Sequence, residues 1–137
     1  MQPKPPPPVC KCFLVCRQLL LDHHSRDYVI LAQGYQIHSF TFPAVVDMSV
    51  YARLSSVQGV YQLEVQLQDL EGKTLWQQDF GPLLRSDDPL QIGVLDLQHL
   101  QVVFPKPGKY ELVLLANGEE IVRDVFLANL RTSSGVP

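Results

Sequence analysis

Cys10, Cys12 and Cys16, followed by His23 and His24, are the densest set of metal-ligand side chains in the chain. Side chains alternate along an extended strand, so a Cys-x-Cys-x-x-x-Cys spacing places all three thiols on one face. Thiolates joined by a histidine from the next loop are donors that zinc or copper(I) accepts. The spacing works against a shared ion, because Cys12 and Cys16 would lie about 13 Å apart at standard strand rise. A structural zinc site also draws its ligands from two separate turns, and the sequence has no second cysteine cluster. Three cysteines in one stretch give no disulfide framework. The reading adopted is small buried hydrophobes, with no metal and no cofactor.

The segment Asp22-His23-His24-Ser25-Arg26-Asp27 carries further ligand-type side chains. Adjacent residues on an extended chain point opposite ways, so His23 and His24 do not chelate one ion together, and a solvated turn is the simpler account. Asp87-Asp88 before Pro89 lacks the spaced oxygens and glycine of a calcium loop. The chain has no nucleophile elbow, His-Glu-x-x-His, P-loop or Gly-x-Gly-x-x-Gly, and no catalytic residue is assigned. Gln62, Glu64, Gln66 and Gln68, with Gln77, read as the solvent face of a sheet. A sugar-binding face would add exposed aromatics, and Tyr51 alone sits on the polar parity of its strand.

These residues must be positioned by a single hydrophobic core, which is what 137 residues can build. A net charge of −3, with Lys and Arg scattered singly, offers no cationic stripe for nucleic acid. The apolar run Cys12 to Leu21 is interrupted by Arg17 and preceded by prolines, which fits neither a signal peptide nor a membrane span. A cytoplasmic protein is expected.

Met1 to Val9, with Pro3 and Pro5 to Pro8, predicts a proline-rich tail that samples polyproline II. Cys10 to Asp22 is apolar on both parities and reads as a strand covered on both faces for part of its length, with a short helix from Val15 as the competing assignment. Tyr28 to Ala32 is a second strand and Tyr35 to Phe42 a third, stopped by Pro43. Val46, Met48, Val50, Ala52 and Leu54 alternate with polar residues, a half-buried strand. Tyr61, Leu63, Val65 and Leu67 repeat the pattern and open a hairpin closed at Asp69 to Lys73, with Gly72 in the left-handed position. Thr74 to Phe80 returns, with Trp76 expected in the core.

Residues 81–98 predict a crossover over the end of the core, with a short strand at Leu90 to Val94. Leu97 to Phe104 is extended. Asn117-Gly118 between two β-favouring runs predicts a type I′ hairpin. A two-residue turn there sets Leu114 opposite Ile121 and Glu111 opposite Asp124, a like-charge pair; a loop one residue longer is the other possibility. Tyr110, just inside its strand, stands where a tyrosine corner would lie. Residues 131–137 form a polar tail.

The opening apolar strand, the Phe-Pro break at Phe42-Pro43, the Asp-x-x-Gly hairpin and Pro105-Lys106-Pro107-Gly108-Lys109-Tyr110-Glu111-Leu112 running to Glu120 are together similar to a family of small bacterial β-sandwich domains of unknown function. The resemblance spans Phe13 to Leu130. It implies the fold and carries over no functional residue.

The pattern as a whole predicts an all-β, antiparallel two-sheet β-sandwich of immunoglobulin-like layout, with about eight strands, over residues 10–130. The expected role is non-enzymatic: a binding or structural-interaction domain for another protein, using edge strands that could also pair copies of the chain. The alternative is a small metal-binding protein or enzyme using Cys10, Cys12, Cys16, His23 and His24.

Overall fold

The computed structural model describes residues 5–31 and 34–131. Among them the alternating runs form ten strands: β1 Val9–Cys16, β2 Gln18–Leu21, β3 Tyr28–Leu31, β4 Gln36–Ser39, β5 Ala44–Ser55, β6 Gly59–Gln68, β7 Thr74–Ser86, β8 Gly93–Phe104, β9 Gly108–Ala116 and β10 Glu119–Leu130. They make a three-stranded sheet β1-β5-β8, a five-stranded sheet β4-β10-β9-β6-β7 and a separate pair β2-β3. Paired neighbours run antiparallel except β4, which lies parallel to the end of β10.

The two larger sheets share one core. Val50, Ala52 and Leu54 of β5 and Leu95, Leu97 and Leu100 of β8 meet Tyr61, Leu63, Val65 and Leu67 of β6 and Leu112 and Leu114 of β9. Within each strand these residues keep one parity, except that the irregularity at His99, φ 60°, brings Leu100 to the same face as Leu95 and Leu97. Phe104 is fully buried at one end, its ring 5.4 Å from Tyr110 edge-on and 5.8 Å from Phe126 in a stack.

Tyr110 forms the expected corner. Its hydroxyl donates to the Lys106 carbonyl and accepts from the Lys106 amide at 3.3 Å, which ties the turn before β9 to the strand itself. Tyr110→Phe is expected to lower unfolding free energy by about 1 kcal/mol in urea titrations while the fold is kept, because the ring stays buried and only the turn loses its partner.

Several expectations are corrected. The count is ten strands rather than about eight, because the run Cys10 to Asp22 breaks at Arg17, whose amide donates to the Leu31 carbonyl, so the chain becomes β1 and β2. Residues 81–98 are not a crossover with a strand at Leu90: β7 continues to Ser86 through Gly81, whose φ of 69° lets the strand bend, and β8 starts at Gly93. Trp76 is half-buried at the core margin, since β7 is the edge strand of its sheet. Asn117 and Gly118 have the expected positive φ, 52° and 80°. The register holds for Glu119 and Glu120, then a bulge at Ile121 shifts it by one. Glu111 therefore faces Val125, and the predicted Glu111–Asp124 repulsion does not arise.

The proline tract, expected as a tail through Val9, is packed where it is described. Pro8 is buried, Val9 belongs to β1, and the Pro6 carbonyl accepts from the hydroxyl of the buried Tyr61 at 2.7 Å. Arg131 is likewise tied down, its amide donating to Ser39 and its guanidinium lying 5.5 Å from the Phe40 ring. Met1 to Lys4, Ala32, Gln33 and residues 132–137 lie outside the described residues.

Candidate functional site

The three thiols do not share a face. A bulge between Cys10 and Cys12 reverses the parity, so Cys10 pairs with Leu54 and points to the core, whereas Cys12 pairs with Arg53 and Cys16 with Ser49 on the opposite side. Burial pushes the Cys10 and Cys16 thiols up, away from thiolate character. Cys10 donates to the Cys12 carbonyl and Cys16 to the Ser49 carbonyl. His23 and His24 sit in the exposed turn joining β2 and β3, where the Asp22 carboxylate accepts from the His24 amide, which lowers its pKa. Among the described residues no group of three or more His, Cys, Asp or Glu could hold a metal ion. Asp88 serves its own turn, accepting from the Leu90 amide.

The amide row is a network on the outer face of the five-stranded sheet. Gln66 donates to Glu64 and Gln68 to Gln66, while Thr74 donates to Gln66 from β7. Arg123 of β10 joins Glu111 of β9 to Glu120, a contact the Ile121 bulge makes possible. Val113, beneath this layer, is fully buried although it points outward from the core. The hydrogen bond from Arg123 holds the Glu120 carboxyl below its ordinary range, and the two carboxylates raise Arg123. A depressed folded-state pKa contributes stability above the unfolded value, and that contribution is lost as pH falls through the folded value. Thermal unfolding is therefore expected to shift slightly downward as pH drops below about 4.3, and Arg123→Gln should flatten that part of the profile.

Tyr51 is not a free aromatic. The β2–β3 hairpin covers the outer face of the three-stranded sheet, placing the Tyr28 ring 5.4 Å from Tyr51 and the Tyr28 hydroxyl 3.2 Å from Asp96. Leu19, Cys16 and Ser49 are buried beneath it. The hairpin's other face stays open, with Leu20, Val29 and Leu31 about two-fifths exposed.

The feature sequence reasoning missed is the side of the molecule between β1 and β10. Among the described residues the chain crosses it at Gly34 and Tyr35: the Gly34 amide donates to Val15 of β1 at 3.1 Å, and the Leu127 amide of β10 donates to Tyr35 at 2.8 Å. A cleft of about 410 Å³ lies to one side, lined by Phe13, Leu14, Val15, Leu112, Val125 and Phe126, with Lys109 and Asp124 among its polar residues.

Backbone alternation decides what each wall offers. Val15 and Arg17 direct their peptide groups away from β5, toward Gly34 and Leu31, so the amide and carbonyl of Phe13, two residues earlier, point the same way, into the cleft. Among the described residues β1 pairs with β5 and has no strand on this side. The facing strand is different, because the Val125 amide is capped by the carboxylate of Asp124 at 2.9 Å. At the cleft, β1 is a sheet edge, whereas the β10 amide that faces it is already taken. The strand that carries Phe13 was legible in the sequence, but the crossing at Gly34 beside it was not.

These elements define an all-β domain whose two larger sheets close on one core and part along one side. The chain belongs to the family of unknown function DUF6941, whose model matches residues 11–126. No curated protein matches it. Among the described residues no helix is long and apolar enough to cross a membrane.

Proposed function

We propose that the chain is a non-enzymatic binding domain of immunoglobulin-like layout, which takes up an extended segment of another protein by adding it to β1. The layout is supported by strand order: β1-β5-β8 faces β10-β9-β6-β7, β4 runs parallel to the last strand, and a tyrosine corner opens β9. The observation that carries the binding reading is the Phe13 peptide edge, directed into an apolar cleft. Main-chain hydrogen bonds to such an edge give affinity, and alternate side chains of the incoming strand fill the pocket beside it. Here that pocket ends on Leu112 and Phe126, so the segment carries apolar residues at every second position.

Capture of partners from a lysate of the source cells tests this with two variants. Phe13→Leu keeps the amide and should retain the partner; Phe13→Pro removes it without breaking a bond to β5 and should lose the partner. Retention by Phe13→Pro, with its folding confirmed by thermal melting, would rule the edge out.

A further inference from the structure

On the other side of the Gly34 crossing lies a second pocket, of about 230 Å³, different in character. Its floor is apolar, made by Val15, Ile37, Met48 and Phe126, and its polar lining is Arg17, Gln36, His38, Asp47 and Arg131. Its charged residues are thus Arg17, Arg131 and Asp47, and the Asp47 carboxylate lies 3.7 Å from His99. Among the described residues neither arginine forms an ion pair. Both are held by their backbones, Arg17 on Leu31 and Arg131 on Ser39, and the Arg131 side chain is further placed against Phe40.

We infer that this pocket binds a small organic acid, its carboxylate at Arg17 and Arg131 and a short aliphatic tail on Met48, Ile37 and Phe126. A guanidinium fork matches a carboxylate in geometry and charge. The floor selects against a bare inorganic anion, which would keep its hydration and leave Met48 and Phe126 uncovered. A space of about 230 Å³ suits a short-chain acid, for which hexanoate is the probe. The pocket shares Val15, Gly34 and Phe126 with the cleft beside Phe13, but its charged residues Arg17, Asp47 and Arg131 are its own.

Met48 is one of two methionines in the chain, so methyl-labelled methionine gives a direct NMR report from the pocket floor. In the full-length protein, hexanoate should shift the Met48 methyl signal saturably. Uncharged hexanamide should bind about tenfold more weakly, and Arg17→Gln or Arg131→Gln should weaken hexanoate by about the same factor. Inorganic phosphate should leave the signal in place. Equal binding of hexanoate and hexanamide would remove the arginines from the site, a matching shift with phosphate would remove the apolar floor, and an unmoved Met48 signal with hexanoate would overturn the inference altogether.

Discussion

Phe104→Ala is expected to destabilise the protein by about 3–5 kcal/mol, the largest loss from any single truncation considered. Phe104 is fully buried and touches both of the other aromatic rings at its end of the core, Tyr110 and Phe126. Removing the ring loses its transfer free energy and leaves a cavity between strands from both larger sheets, β8 on one side and β9 and β10 on the other. Neither partner ring can collapse into the space easily, because the Tyr110 hydroxyl is fixed to Lys106. Chemical denaturation should show one cooperative transition with a lowered midpoint. A loss below about 1 kcal/mol would mean that this end of the core is loosely packed.

Leu19→Ala should cost about 2–4 kcal/mol in a different way. Leu19 is buried beneath the β2–β3 hairpin, outside the main core, with Cys16 and Ser49 as buried neighbours. The hairpin is two strands of four residues, too short to be stable by itself. Its attachment rests on Leu19, on the Tyr28–Tyr51 contact and on the Tyr28–Asp96 hydrogen bond. The expected result is local opening: amides of Leu19 to Leu21 and Tyr28 to Ile30 should lose hydrogen-exchange protection, while those of β6 and β9 keep theirs. Equal loss of protection throughout the protein would show that the hairpin and the main core unfold as one unit.

Alternation made much of the fold legible. Where one face is buried and the other polar, as in Tyr61 to Leu67, period two gives both the strand and its core face. Asn117-Gly118 and Gly72 announced their turns because few other residues accept positive φ. What failed to show was anything set by a single backbone irregularity. The bulge after Cys10 reversed the expected face of Cys12 and Cys16, and the bulge at Ile121 turned an anticipated repulsion into the Arg123 network. No residue type marks either bulge. The Leu-rich stretch before Asp22 read as covered on both faces, yet Leu20 is among the residues exposed on the hairpin's open side, because coverage is decided by what packs from elsewhere in the chain. The candidate cleft was invisible for the same reason: it depends on where Gly34 and Tyr35 cross between sheets far apart in sequence.

In the proposed function, the edge of β1 at Phe13 is the position that an incoming strand takes. Amide hydrogen exchange of the isotope-labelled protein, read residue by residue alone and then in a lysate of the source cells, tests it most directly. The Phe13 amide should exchange rapidly in the isolated protein while that of Leu14, which belongs to the β1–β5 ladder, is protected; in the lysate Phe13 should become protected as well. A Phe13 amide already protected in the purified protein, or one that exchanges equally fast in both, would contradict the claim.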